Sequence, residues 1–289
     1  MIWSIFALAA VIGAAGMPLL HQHFRPETLP MLFWLRVFSF LCMTPVVLYL
    51  GVPGNMWFYV GTAVIALWMA ITDMMYFNGV KNHGAGVVSR ILPIAAIPTF
   101  FLWFAVKPEL IETYINDPYR SVAILACLMM GVYFATRMRH DPVSLAAVRD
   151  IWFVILGASL GPIAAKIVLG FAPMGVSGLA FIWVQAAILA PVYAVYAHTH
   201  RPLPLRIFWG RHALAVGAVI AVASMLSIGA KSYAFLMAEN PAYVSVVLFT
   251  APFLISLYER MIGHKDESDR RAGFGLVLAA AALVLLQIK

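Results

Sequence analysis

The stretch IWSIFALAAVIGAAGMPLL, Ile2–Leu20, runs its whole length without a charged side chain. About twenty helical residues cross the roughly 30 Å hydrocarbon core of a bilayer, so this stretch reads as a membrane span. Nine further runs of the same kind follow, at about Met31–Leu50, Trp57–Val80, Gly84–Val106, Tyr119–Thr136, Val148–Gly170, Ser177–His198, His212–Ala238, Ala242–Ile262 and Ala272–Ile288. A chain of 289 residues that is 63% hydrophobic and 11% charged is not a soluble globule. It reads as an all-α, multi-pass integral membrane protein with short connections and no soluble domain between spans. The first run lacks a basic leader and a small-residue cleavage site, so it reads as a span rather than a signal peptide.

The formal charge of +7 does not point to nucleic acid, because basic residues of membrane proteins sit in loops and set orientation. The loops after odd-numbered spans hold Arg25, Lys81, Arg137, Arg139, Arg149, Arg201, Arg206, Arg211, Arg260, Lys265, Arg270 and Arg271. The opposite face holds Lys107, Arg120 and Lys289. This excess places the first set in the cytoplasm, both termini outside, and the protein in the inner membrane. Cys42 and Cys127 both fall inside apolar runs and read as small core residues rather than a disulfide or zinc site.

Working outward from Ile2–Leu20, the chain repeats itself. A shift of 149 pairs Trp3 with Trp152, Gly13 with Pro162, Met17 with Lys166, Trp34 with Trp183 and Arg36 with Gln185. A shift of 159 pairs Asp73 with Ser232, Gly86 with Ser245 and Pro93 with Pro252. Two halves follow, residues 1–140 and 141–289, of five spans each. An odd number of spans per half forces tandem halves to face opposite ways, which is the inverted-topology repeat of many secondary transporters.

The segments YFNGVKNHGAGVVSRILPIAAIP (Tyr76–Pro98) and FLMAENPAYVSVVLFTAPFLISL (Phe235–Leu257) share a short polar turn, small and hydroxyl residues, then a proline within the span. They resemble the third-to-fourth and eighth-to-ninth hairpins of the drug/metabolite transporter superfamily, EamA type. PMLFWLR (Pro30–Arg36) resembles its second span and GFGLVLAAAALVLL (Gly273–Leu286) its last. The resemblance implies ten helices around a central cavity and a carrier of small metabolites, and leaves the solute open. The family often has Gly-Glu at the ends of spans four and nine, where this chain has Ala105-Val106-Lys107-Pro108-Glu109 and Ile262-Gly263-His264. Family members are also often drawn with both termini in the cytoplasm, against the charge count here.

An ionisable side chain at membrane depth costs about 2.5–3.5 kcal/mol and persists where it faces protein or a watery cavity. Asp73, Arg90, Lys166, Lys231 and Glu259 are the strongest cases; Arg36, about five residues into its span, is able to snorkel. Helical spacing gives several spans one polar face. These are Ser159, Pro162 and Lys166; Ser224, Ser227 and Lys231; Gly86, Ser89, Arg90 and Pro93; Asp73 and Tyr76; Ser245, Phe249, Pro252, Ser256 and Glu259; and Gln185, Val192 and Tyr196. Converging, they would line a cavity.

Each has a plainer reading. Asp73 forms a structural ion pair with Arg90 or Lys231; Lys166 and Lys231 snorkel; Arg36 is structural; Glu259 pairs with Arg260 or Lys265 near the cytoplasmic end. Tyr76, Trp183 and Tyr233 are packing or interface aromatics. Of the prolines within spans (Pro18, Pro45, Pro93, Pro98, Pro162, Pro191 and Pro252), Pro93 and Pro252 pair across the repeat and read as hinges of gating hairpins. The pairs His21/His23 and His198/His200 suit a metal if extended, and otherwise are solvated loop residues.

The expectation is a secondary transporter working by alternating access. Asp73, Tyr76, Arg90, Lys166, Trp183, Gln185, Lys231 and Tyr233 form the solute site, with no catalytic residue, cofactor or metal. Cations outnumber Asp73 at depth, which favours an anionic or zwitterionic metabolite such as an amino acid over a cationic drug or quaternary amine. Asp73 is a coupling-proton site if unpaired, and its pairing favours uncoupled exchange. The partners are then a small metabolite, protons and the lipid bilayer; a monomer suffices and a dimer is open. The competing classes are a membrane enzyme acting on a lipid or lipid-linked sugar, for which no carboxylate pair stands at depth, and a sensory subunit, for which there is no output domain.

Overall fold

The computed structural model describes residues 2–84, 87–88, 91–138, 145–199, 204–262 and 269–287, and among them it is helical without a strand. The helices are α1 (Ile2–Phe24), α2 (Thr28–Leu50), α3 (Met56–His83), α4 (Ala96–Val106), α5 (Glu109–Asn116), α6 (Pro118–Arg137), α7 (Leu145–Leu169), α8 (Met174–Thr199), α9 (Leu205–Phe208), α10 (Arg211–Met237), α11 (Pro241–Leu248), α12 (Ala251–Met261) and α13 (Arg270–Leu285). Eight helical stretches among the described residues, α11 and α12 taken as one, are long and apolar enough to cross a bilayer. The 92–106 segment with α5 makes nine if that bent pair is one span.

The outward faces explain why this bundle belongs in lipid. On α1, Ile2, Ile5, Leu8 and Ile12 are exposed on one stripe, while Ala7, Ala10 and Val11 are buried. Large apolar side chains outside and small ones inside invert the pattern of a water-soluble helix; small inward residues let helices approach closely. Gly13 of α1 is such a point: a Cβ there would sit 2.7 Å from the Ser227 backbone nitrogen of α10. Gly217 of α10 lies as close on α2, with Leu35 N at 3.2 Å and Met31 O at 3.3 Å from an added Cβ. Gly13→Ala should therefore destabilise the bundle by about 1–3 kcal/mol, the usual cost of overpacking. Gly54→Ala, where an added Cβ meets nothing within 4 Å, should be near neutral, and unfolding in mixed detergent micelles measures both.

Hydroxyls within the helices are satisfied locally. Ser39, Thr62 and Ser232 donate to the carbonyls of Leu35, Phe58 and Ile228 at 2.6–2.8 Å. Asn55, Asp117, Asn240 and Asp269 cap helix starts by accepting from backbone N–H groups. Gly51 and Gly84, at φ of 96° and 85°, end α2 and α3 in a conformation glycine adopts freely.

The helices pack across the middle of the chain. α1 lies along α10, α2 along α8 and α10, α3 along α7 and α8, and α6 along α13. α11 and α12 pack on α1, α4 packs on α7, and α4 meets α11.

Two proline positions coincide with helix breaks. Pro93 lies in a 3-10 turn, Leu92–Ala95, ahead of α4, and Pro252 lies in the first turn of α12 after the break at Phe249–Thr250. A proline lacks the N–H that would continue the ladder. Pro18, Pro45, Pro162 and Pro191 sit inside helices that run on past them instead.

Three local expectations are corrected. His21 and His23 lie in α1, not an extended loop, and two residues apart on a helix point to different sides; His198 ends α8, and His200 lies outside the described residues. The connection after α4 is a helix, α5, bent 115° from the segment before it. α7 carries a kink at Ile151, with φ −119° and ψ 15°, that no proline announces.

Candidate functional site

Four packed helices, α2, α3, α8 and α10, bring charge to the interior of the bundle. Asp73 of α3 accepts from the Arg36 guanidinium of α2 and, at 3.1 Å, from the Tyr193 hydroxyl of α8. Arg36 is 2% exposed and Tyr193 is fully buried, whereas the Asp73 side chain keeps 18% exposure. Lys231 of α10 lies in electrostatic range of Asp73 and forms no hydrogen bond or ion pair among the described residues. Tyr76, one turn from Asp73, feels the same carboxylate and packs with the apolar residues of these helices.

The pairing differs from the expected one in a specific way. Asp73 takes Arg36 as its partner; Lys231 is a nearby second cation, not a bonded one. Arg90, with Gly86 and Ser89, lies outside the described residues. Tyr193 was not singled out in the sequence, although it follows Gln185 by two steps of four along one helix. Arg36 does not snorkel: its guanidinium turns inward to the carboxylate one helix away.

The cluster has unused hydrogen-bonding capacity. Arg36 Nε and Nη1 are buried without a partner among the described residues. Gln185, two turns from Tyr193 on α8, is fully buried and neither its amide oxygen nor its amide nitrogen has one. An unsatisfied buried polar group costs about 1–3 kcal/mol. Gln185→Leu should therefore leave stability unchanged or raise it, and a chemical-unfolding curve checks this; a loss above about 1 kcal/mol would show a bond that the geometry lacks.

Three expected solute ligands are engaged elsewhere. Trp183 donates to the Thr44 hydroxyl at 2.9 Å and stacks on Phe40, joining α8 to α2. Tyr233 donates to the Gly175 carbonyl at 2.9 Å. Lys166 of α7 donates to the backbone carbonyls of Phe235 and Ala238, at the end of α10, with its ammonium 5.5 Å from the Trp103 ring centre. A cation on the last carbonyls of a helix satisfies groups that the helix itself leaves bare.

Lys166 is one part of a larger seal. The Trp103 indole donates to the Glu239 carbonyl at 3.1 Å, and the Asn240 amide donates to the Phe100 carbonyl at 3.5 Å. The hydroxyls of Tyr114 and Tyr243 bond each other. Thr99 of α4 donates to Ser159 of α7 at 2.8 Å. Ala238, Asn240, Tyr243 and Trp103 are all buried, so the turn between α10 and α11 is bolted to α4, α5 and α7.

The other end of α3 differs. A cavity of about 330 Å³ lies there, lined among others by Glu27, Thr28, Met74, Asn78, Lys81 and Tyr196. Met74 adjoins Asp73 in the chain, and the Lys81–Glu27 pair, 3.4 Å apart, stands at this cavity. His83 and Asp150 meet at 2.8 Å between the ends of α3 and α7.

Neither a family model nor a curated protein matches this sequence. Among solved structures, one described only as "Crystal structure of protein" superposes with a TM-score of 0.64. It is 17% identical, and the match covers 98% of this chain and 96% of the other. A likeness at that identity shows the fold alone: the whole helical architecture, end to end, is one that an experimentally determined protein adopts.

Proposed function

We propose that this chain is a secondary transporter of the EamA type in the drug/metabolite transporter superfamily. It moves a small anionic or zwitterionic organic metabolite across the inner membrane by alternating access. The observation that carries this reading is the pattern of helix pairing around a charged centre. Counted as ten spans, the first packs on the eighth and the third on the sixth; the first packs on the ninth and the fourth on the sixth; the second packs on the eighth and the third on the seventh. Exchanging each span for the one five places on maps every one of these pairs onto its companion. The second-to-seventh and fifth-to-tenth pairs map onto themselves. Two related five-span halves would pair in this way, and the odd number of spans in each half makes the repeat an inverted one on this reading.

Asp73, Arg36 and Lys231 lie on the third, second and eighth spans, which these pairings join, and we take their cluster as the solute site of such a transporter. The breaks at Pro93 and Pro252 then serve as hinges of the two hairpins. On this reading the seal around Lys166 is the closed side and the cavity beside Lys81 is the start of the solute's path. By the charge excess, the accessible side is the cytoplasm.

A membrane enzyme turns over in detergent; a carrier needs two compartments. Purified protein in sealed vesicles should therefore move a labelled organic acid inward at a saturable rate, and the same protein in micelles should leave that acid chemically unchanged. Conversion of the acid or of added lipid in micelles would overturn the reading. A role for Asp73 in proton coupling is tested by Asp73→Asn: uptake that keeps the wild-type pH dependence would exclude it.

A further inference from the structure

We infer that the site around Asp73 takes an organic anion with no amino group beside its carboxylate or phosphate: a hydroxy, oxo or phosphorylated acid rather than an amino acid. The inference rests on the proposed function in taking this cluster as the place the solute reaches. It goes further by choosing between the anionic and zwitterionic classes.

The choice follows from what Asp73 is already doing. A zwitterion needs an acceptor for its ammonium group, and Asp73 is the carboxylate that the cluster offers. One oxygen of that carboxylate already accepts from Arg36 and from Tyr193. Lys231 adds a second positive charge close by. A solute ammonium would be a third cation beside one carboxylate. Like charges at close range in a low-dielectric interior repel strongly.

The charged groups with unused capacity are cations. Arg36 presents two buried guanidinium nitrogens with no acceptor among the described residues, and Lys231 presents its ammonium without one. Ser227 and Ser224 lie one and two turns back from Lys231 on α10, both buried. A site with two cations beside one carboxylate recognises oxygen atoms that carry negative charge, through charge-assisted hydrogen bonds. An anion held there satisfies the Arg36 donors, balances Lys231 and leaves the Arg36–Asp73 pair intact.

The test compares acids that differ only in carrying a hydroxyl or an ammonium at one carbon: lactate with alanine, malate with aspartate, 3-phosphoglycerate with phosphoserine. Binding to the full-length protein in detergent is read as the concentration that half-saturates a rise in Tm. At least one hydroxy acid should stabilise the protein, with its amino counterpart needing at least tenfold more. Lys231→Met should raise the half-saturating concentration of that acid at least tenfold, and Lys231→Arg, which keeps the charge, only a few-fold. The wild-type comparison stands even if a variant fails to fold. Amino acids binding as tightly as their hydroxy partners, quaternary amines binding in their place, or no acid of the panel shifting Tm would each overturn the inference. An acid that binds yet is not moved in vesicles defeats the transport reading and leaves this inference standing; an amine that is moved does the reverse.

Discussion

Asp73→Ala will lower the stability of the folded protein by about 3–5 kcal/mol, the range typical of breaking a buried ion pair from one side. The cost does not come from losing an attraction alone. Arg36 is 2% exposed, so the alanine variant holds a guanidinium away from water without its carboxylate. The Tyr193 hydroxyl, fully buried, loses its acceptor in the same step. The paired replacement of Arg36 by Met and Asp73 by Leu removes both charges and should recover most of that loss, because well-packed apolar side chains replace buried ion pairs at little net cost. Unfolding curves for the two single variants and the double variant give the coupling directly. A loss below about 1 kcal/mol for Asp73→Ala would mean that the pair is solvated and does not organise the centre.

Lys166→Met will loosen the seal at the end of α10. Its ammonium donates to two backbone carbonyls and sits over Trp103, and hydrogen bonds from a charged donor contribute about 1.5–3 kcal/mol each. Methionine retains the length and the apolar stem but no donor, so the Phe235 and Ala238 carbonyls lose their partner while packing is kept. A shift of 1.4 kcal/mol between closed and open forms is a factor of ten in population. A cysteine at Ala238, 2% exposed, reports the change in a chain whose Cys42 and Cys127 are replaced by alanine. Its labelling by a water-soluble thiol reagent should speed up about tenfold or more in Lys166→Met and stay slow in Lys166→Arg. Equal labelling rates in all three chains would mean that Trp103 and Asn240 hold the turn without Lys166.

Much of this architecture is legible residue by residue, and the reason is the solvent. In a bilayer every backbone group must be satisfied within its own helix, so an uncharged run such as Ile2–Leu20 has few alternatives to helix. The breaks at Pro93 and Pro252 are legible because these two prolines pair across the repeat; a missing donor alone does not break a helix, as Pro18, Pro45, Pro162 and Pro191 show. What hides is anything that depends on which helix lies beside which. Asp73 reads as a buried charge and Arg36 as one able to snorkel, but α2 and α3 could present them to any neighbour, and only the packed bundle joins them. Lys166 is harder still. Its partners are the carbonyls of Phe235 and Ala238, and a backbone carbonyl has no signature in sequence. The α5 helix was missed because Glu109–Asn116 is too short to show a period and too polar to read as a span. Nothing in the sequence distinguishes Tyr193 from the other membrane tyrosines; only its place beside Asp73 does.

The central claim is that a negatively charged solute crosses the bilayer through the Asp73 cluster, and counterflow tests it most directly. Vesicles containing the purified protein are loaded with unlabelled malate and diluted into a trace of labelled malate. The account predicts transient accumulation of label above its equilibrium level, abolished in Lys231→Met and retained in Gly54→Ala. Repeating the experiment with 3-phosphoglycerate and lactate extends it to the acid that binds best. Label entering no faster than in protein-free vesicles for all three acids, with the protein folded and inserted, would contradict the account.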